Sequence, residues 1–198
     1  SLRETNMRSA QIFLYAAQCK RMAKTDTLQI LALQDSAVAC FKKPYPKDAA
    51  PSLLERSNTL LELGRYREAI ADLNEYEHLM SNELTAYFYY RREQAEMQCR
   101  MFQQAVDDID RAIRMEPKEP LYHAERAVVY YRLGEFEEAL KSAQKSAELN
   151  PKFGDAYRLA GICQLRLNQR EKGLSNLKKA IELGDESAQA ILAEETQP

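Results

Sequence analysis

The sequence is poor in the residues from which catalytic and metal sites are built. It contains only two histidines, and its four cysteines are far apart, without a Cys-x-x-Cys pair. Metal sites and disulfide frameworks need tighter clusters, so we expect four buried, reduced thiols. A Gly-rich phosphate loop, a nucleophile elbow and a His-Glu metal motif are also missing. We therefore predict that the chain is not an enzyme and needs no metal and no cofactor.

Long hydrophobic runs and an excess of one charge are missing as well. No apolar run reaches the roughly 18 residues that cross a bilayer, so no membrane span is predicted. The 28 Lys and Arg nearly balance the 30 Asp and Glu, so no net charge favours nucleic acid. Because the chain begins with Ser1-Leu2 rather than Met, we expect that its natural N-terminus is not shown. Localisation therefore stays open between the cytoplasm and a bacterial periplasm.

What the sequence does contain is a recurring spacing. Residues of the same kind return after 34 positions in three pairs: Phe102 and Phe136, Ala105 and Ala139, and Pro117 and Pro151. A fixed period of this length is the signature of a repeat protein, in which each unit packs only against its neighbours. We predict four repeats, at residues 50–85, 86–119, 120–153 and 154–187.

Each repeat has the pattern of two helices joined by a turn. Apolar residues return every three or four positions, as on one face of a helix. Gly64 and Gly134 lie where the first helix must end and reverse, and a proline such as Pro151 stops the second helix. Residues 1–49 form a divergent helical hairpin in this prediction, with a break at Pro44, and residues 186–198 form a capping helix and tail. The predicted fold class is all-α, with stacked antiparallel helical hairpins.

The chain resembles the tetratricopeptide repeat family, whose unit is a 34-residue helix-turn-helix, closely over about residues 50–195 and loosely over about residues 5–45. The family pattern is best met in repeat 120–153. The small, aromatic and turn residues that carry the resemblance are Ala127, Tyr130, Gly134, Phe136, Ala139, Ser146 and Pro151. Repeat 86–119 departs from the pattern, with Arg100 in place of the turn glycine. The resemblance implies a right-handed α-solenoid that binds other proteins, but it does not name the partner.

Charged residues recur at fixed offsets within the repeats. Arg56, Arg92 and Arg126 share one position in the first helices, and Asp72 and Asp108 share one in the second helices. We predict ion pairs that link one hairpin to the next, Asp72 with Arg92 and Asp108 with Arg126. Pairing within a repeat, such as Arg56 with Asp72, is the alternative arrangement. The charges are solvated at the helix edges if neither arrangement forms.

The resemblance also implies a docking surface. In the family, the first helices of the hairpins line the inner, concave face, and Tyr, Met and Arg are enriched at interface cores. We expect a peptide or a partner helix with some acidic character to bind there. The predicted ligand-binding residues on this face are Asn58, Tyr87, Tyr90, Gln94, Met97, Val128, Tyr131, Arg132, Arg158, Ile162 and Arg166.

One class of partner is predicted not to bind. Some family members hold the acidic tail of heat-shock chaperones through a clamp of Lys, Asn and Arg side chains. Here the five clamp positions, counted from residue 86, hold Tyr90, Gln94, Glu125, Asp155 and Leu159. We therefore predict a scaffold for a protein or peptide of unknown identity, without nucleic acid. The alternative function is a structural or sensory spacer within a larger assembly, with no peptide groove.

Overall fold

A computed structural model describes residues 2–22, 26–40, 46–81 and 84–196; Ser1 and Pro44 lie outside these ranges. The described residues form eleven α-helices and one 3₁₀ helix, and no β-strand occurs among them, so the predicted all-α class is confirmed. The helices are α1 (Leu2–Met22), α2 (Thr27–Ala39), the 3₁₀ helix (Pro46–Ala49), α3 (Ala50–Glu62), α4 (Tyr66–Met80), α5 (Ala86–Gln98), α6 (Phe102–Met115), α7 (Pro120–Leu133), α8 (Phe136–Leu149), α9 (Gly154–Arg166), α10 (Arg170–Glu182) and α11 (Ser187–Thr196).

The helices belong to two compact units, residues 1–100 with α1 to α5 and residues 101–198 with α6 to α11. Short turns join α3 to α4, α7 to α8 and α9 to α10, and such turns produce antiparallel neighbours. The boundary falls between α5 and α6, which the sequence prediction assigns to one repeat. The division into four repeats stays a prediction.

Small residues let the helices of each unit approach closely. In the first unit, Ala10, Ala37 and Leu53 belong to one buried cluster. In the second unit, a Cβ atom added to Gly161 of α9 would lie only 3.0 Å from the carbonyl oxygen of Gly173 in α10. No side chain larger than hydrogen fits this crossing without movement of the backbone, which explains why the repeat requires small residues at fixed positions.

Turns with positive φ end several of the helices. Gly64 and Gly134 have φ of 71° and 83°, as expected for the turn glycines. At Gly134 the amide of the next residue, Glu135, donates to the carbonyl of Tyr130 at 2.9 Å, which closes the end of α7. Arg100 and Asn168 take the same left-handed conformation, both with φ of 59°.

The cysteines differ in exposure. Cys163 is buried, and burial raises the pKa of its thiol to about 11. Cys40 and Cys99 are half-buried, and Cys19 is exposed on α1, so the prediction of four buried thiols is wrong for Cys19. All four are free thiols.

The described residues contain neither a membrane-spanning helix nor a cluster of metal ligands. None of the helices in the described ranges is long and apolar enough to cross a membrane. Within the same ranges, no three His, Cys, Asp or Glu side chains are grouped as metal ligands would be.

Candidate protein-binding site

In the first unit, α5 presents an aromatic and amide surface. Tyr87 is 56% exposed, and its ring lies 6.1 Å from that of Tyr90. The Gln94 side-chain amide donates to the Tyr90 hydroxyl at 2.7 Å. Arg91 donates to the Gln94 oxygen at 3.1 Å and lies 5.9 Å from the centre of the Tyr87 ring. These contacts fix the side chains in one arrangement and leave Tyr87 open to a partner.

Other residues of this unit are less available. Asn58 and Met97, which the sequence analysis places on the docking face, are half-buried. Phe88, beside Tyr87 in the sequence, is buried and stacks on Tyr76 of α4 at 5.5 Å. Part of the aromatic density of α5 is therefore core.

In the second unit, α7 and α9 bring Tyr131 and Arg166 together. The exposed Arg166 guanidinium lies 6.0 Å from the centre of the Tyr131 ring, and its Nε donates to the Tyr131 hydroxyl at 3.2 Å. The Tyr131 ring also packs on Phe136 at 5.5 Å. A cation stacked on a ring gives a flat surface that offers both apolar area and positive charge.

Next to this pair is a cavity of about 310 Å³. Three of the predicted binding residues, Tyr131, Ile162 and Arg166, line it. Helix α11 supplies another part of the wall through Ile191 and Glu194. The repeat pattern does not predict a place for α11 at this face, because α11 lies beyond the last predicted repeat and has no counterpart in the other repeats.

The remaining predicted residues of α7 and α9 differ in their environment. Arg132 is exposed, and Val128 is half-buried against the core of the unit. Arg158 donates to Asp185 at 2.6 Å and to Asp155. Its charge is therefore balanced within the chain, which makes Arg132 and Arg166 the better candidates for an acidic partner.

Glu125 is a residue of α7 that the sequence analysis considered only as a missing clamp position. Its side chain is half-buried, and burial, with a smaller effect of the nearby Asp155 charge, raises the pKa of its carboxyl group. This end of the face therefore disfavours additional negative charge.

The ion pairs of the first unit differ from the predicted pairs. Arg56 donates to both carboxylate oxygens of Asp72, at 2.6 and 2.7 Å, so the predicted Asp72–Arg92 pair is replaced by one within the α3–α4 hairpin. Arg92 donates to Asn74 at 2.9 Å and to Glu77 at 2.5 Å. Both oxygens of the Asp72 carboxylate therefore accept from Arg56 of the same hairpin, and not from Arg92 of α5.

The second unit also differs from the prediction. Arg126 donates to the Ser142 hydroxyl at 3.0 Å and to Asp110 at 3.2 Å, rather than to Asp108. Asp108 accepts a hydrogen bond from Arg111 at 3.3 Å. Asp108 and Asp110 are two positions apart on α6 and therefore point in different directions, and only the second faces Arg126.

His123 lies in the core of the second unit. It is buried, and its Nε2 donates to the Pro117 carbonyl at 2.9 Å, which indicates a structural role.

The sequence profile described as "Tetratricopeptide repeat" matches residues 120–153, which form α7 and α8. The chain carries a tetratricopeptide repeat. Proteins built from this repeat use extended concave surfaces to bind other proteins.

Two curated relatives contain similar stretches. The small glutamine-rich tetratricopeptide repeat-containing protein 2 of Mycosarcoma maydis is 32% identical over 53 residues, which are 27% of this chain and 15% of that protein. The Hsp70-Hsp90 organizing protein of Triticum aestivum is 28% identical over 124 residues, which are 62% of this chain and 20% of that protein. The chain therefore spans at most a fifth of the length of these relatives.

Solved structures share the fold at low sequence identity. A crystal structure of MamA has a TM-score of 0.78 at 22% identity and covers 91% of this chain and 94% of its own. YrrB, described as a tetratricopeptide repeat protein with an unusual peptide-binding site, has a TM-score of 0.75 at 19% identity and covers 96% and 94%. The first such domain of Spaghetti (RPAP3), bound to the HSP90 peptide SRMEEVD, has a TM-score of 0.55 at 21% identity and covers 57% and 91%.

Proposed function

We propose that the chain is a protein-interaction scaffold that binds a peptide or a partner helix on the first helices of its hairpins. The observation that carries the proposal is the α7–α9 face of the second unit, formed by Tyr131, Arg132, Ile162 and Arg166. It joins the apolar side chains of a cavity wall, which also contains Glu194 and Glu195 of α11, to two exposed guanidinium groups. In the first unit, the exposed Tyr87 on α5 supports the same kind of use.

The face favours a partner that is apolar and acidic. Ile162 and the Tyr131 ring offer apolar area beside a cavity of about 310 Å³. Arg132 and Arg166 can pair with carboxylates, and the planar guanidinium of Arg166 can bind one with two parallel hydrogen bonds. A short amphipathic helix or a peptide with alternating acidic and apolar residues has this chemistry.

Substitution of the two arginines tests the proposal. The probe is a set of fluorescein-labelled eight-residue peptides that combine Leu or Phe with Asp or Glu, measured by fluorescence anisotropy. We expect R132E together with R166E to weaken the best peptide by at least about tenfold. The control R114E reverses an exposed charge on α6 and leaves binding unchanged. Equal binding by all three proteins, with their folds intact, would favour the spacer function.

A chaperone tail is a separate candidate, because one structural neighbour was solved with the peptide SRMEEVD. We propose that this peptide does not bind here. The clamp positions lack cations, and the half-buried Glu125 carboxylate would face the acidic tail. Saturable binding of SRMEEVD at about micromolar concentration would contradict this proposal.

A further inference from the structure

In the first unit, a cleft separates α1 from α3. This cleft shares no residue with the α7–α9 face of the second unit. Two cavities of about 330 Å³ each open along it, and Leu14 of α1 lines both. The first, here the apolar cavity, is lined by Met7, Ser52 and Met80 among others. The second, here the polar cavity, is lined by Gln18, Arg21, Gln34 and Glu55 among others.

Arginines of α1 bridge the cleft at both ends. Arg3 donates to both carboxylate oxygens of Asp48, at 2.7 and 2.8 Å, just before α3 begins. Arg21 donates to the Thr59 hydroxyl at 2.6 Å and to Glu62 at 3.2 Å, where α3 ends. The bridges tie α1 to α3 at the ends and leave the middle of the cleft open.

Each cavity is lined by a residue whose buried side-chain oxygen lacks a hydrogen-bond partner. The Ser52 side chain is 1% exposed, and its hydroxyl has no partner in the structure. Gln34 is 2% exposed, and its Nε2 donates to the Glu55 carbonyl at 3.1 Å. Because that carbonyl can only accept, the amide orientation is fixed and Oε1 is left without a partner. Buried polar atoms of this kind normally have partners.

The chemistry of the polar cavity selects a hydrogen-bond donor. Arg21 also lines this cavity, and its guanidinium donates to Thr59 and Glu62. The Gln34 oxygen and the exposed Glu55 carboxylate both accept, and the carboxylate adds negative charge. A lysine ammonium has three donors and a positive charge, so it can bind both groups at once. The apolar cavity, with two methionines and Leu14, suits an unbranched or γ-branched apolar side chain.

The distance between the cavities indicates what can fill both. Ala10 lines the apolar cavity and Ala17 lines the polar cavity. Seven residues of α-helix rise about 10 Å, a distance that about three residues of extended chain also span. A peptide strand along the cleft would therefore present two side chains, one to each cavity.

We propose that the α1–α3 cleft binds an extended peptide segment that carries an apolar side chain and, two to four positions away, a lysine. The lysine ammonium donates to Gln34 Oε1 and to the Glu55 carboxylate. The apolar side chain enters between Met7 and Met80, where a polar atom of the peptide backbone reaches the Ser52 hydroxyl. The partner is thus basic, unlike the acidic partner of the α7–α9 face, and the two sites can be tested independently.

The test uses fluorescein-labelled peptides of Gly and Ser with one Leu and one Lys at the three spacings. We expect saturable binding of at least one peptide in fluorescence anisotropy. Replacement of its Lys by norleucine, or of its Leu by Ser, weakens binding about tenfold. The protein variant E55Q produces a similar loss, because it removes the negative charge that pairs with the lysine. Glu55 is exposed, so the substitution does not disturb the core. The variant E75Q removes another exposed charge of the same unit, on α4, and leaves binding unchanged.

A second measurement locates the bound peptide. Titration of the labelled protein in amide-resolved NMR shifts the signals of α1 and α3, and Q34L abolishes the preference for lysine over norleucine. The proposal is overturned if no peptide binds saturably up to about 1 mM. It is also overturned if norleucine replaces lysine without loss, or if E55Q binds like the unaltered protein. Loss of the α7–α9 function through R132E and R166E does not change these outcomes.

Discussion

At the residue scale, the left-handed turns show where the chain departs from its repeat. Gly134 and Arg100 both have positive φ, but only glycine takes that conformation without strain. This conformation costs a residue with a Cβ atom about 1–2 kcal/mol. Glycine avoids that cost, but its greater conformational freedom in the unfolded chain cancels part of the gain. Arg100 is therefore a locally unfavourable residue that the surrounding helices hold in place.

The first prediction concerns these two turns. We expect R100G to raise the free energy of unfolding by about 0.5–1 kcal/mol. We expect G134A to lower it by about 1 kcal/mol, because a Cβ atom there meets no neighbour within 4 Å and only backbone strain acts. Urea denaturation of both variants measures the difference. A loss of stability in R100G would show that its side chain contributes more than its backbone conformation costs.

The second prediction uses the raised pKa of the Glu125 carboxyl group. Below the usual glutamate pKa, Glu125 is protonated in both states. The protonated carboxyl group is compatible with burial, so the folded state loses no stability there. As pH rises through the higher pKa of the folded state, the buried carboxyl group must ionise, and the folded state becomes less stable relative to the unfolded state. We expect E125Q to be more stable than the unaltered chain at pH 7 and to lose that advantage near pH 4.

Denaturation curves at several pH values measure the effect of E125Q. The control E137Q changes an exposed glutamate of α8 and shows no comparable pH dependence. A constant difference between E125Q and the unaltered chain from pH 4 to pH 7 would contradict the prediction.

At the element scale, ion pairs hold particular helices together. Within the α3–α4 hairpin, the side chains of Arg56 and Asp72 are 20% and 7% exposed. In the second unit, Arg126 and Asp110 join α7 to α6 and are 27% and 32% exposed. The more buried pair leaves a more costly charge behind when one partner is removed.

The third prediction compares these pairs. We expect D72N to lower the free energy of unfolding by about 2–3 kcal/mol, somewhat less than for a fully buried pair. We expect D110N to lower it by less than about 1 kcal/mol, as for other accessible pairs. A double-mutant cycle with R56Q isolates the coupling of the first pair. If D72N and D110N cost the same, burial does not set the strength of these pairs.

The helices and turns were predictable from sequence because their signals are local. Gly64 and Gly134 mark turns by their backbone freedom, and the small residues mark helix crossings by their size. The partner of Asp72 was not predictable, since Arg56 and Arg92 share one offset and only the packing of α3 on α4 decides between them. The wall that α11 adds to the cavity at Tyr131 and Arg166 was also missed, because it lies outside the repeat pattern. The docking face itself stays a prediction.

At the scale of the whole molecule, stability is distributed unevenly along the chain. The long helix α1 buries only Ala10 and Ala17 fully, and Ile12, Tyr15 and Met22 are 67%, 69% and 80% exposed. In contrast, α7 buries five residues and α9 six. In repeat proteins, local opening follows the local density of buried contacts.

The fourth prediction follows from this difference in burial. We expect the backbone amides of α1, and of α11 with its single buried residue, to exchange with deuterium faster than those of α7 and α9. Hydrogen exchange followed by mass spectrometry gives the order. Uniform protection from α1 to α10 would show that the chain opens only as a whole.

Both residues of the Arg56–Asp72 pair lie within one hairpin, which affects how the gene could have been rearranged. A recombination event that duplicated or moved α3 and α4 as one block would carry both charges together. Of the two carboxylates that bind Arg56, only the exposed Asp35 of α2 would be left behind. The Arg21–Glu62 and Arg92–Glu77 pairs, which cross the borders of this hairpin, would be broken. The same event at α7 and α8 would separate Arg126 from Asp110. An engineer who lengthens the array by copying α3 and α4 therefore keeps the buried partner of this arginine, whereas a copy of α7 and α8 needs a new partner for Arg126.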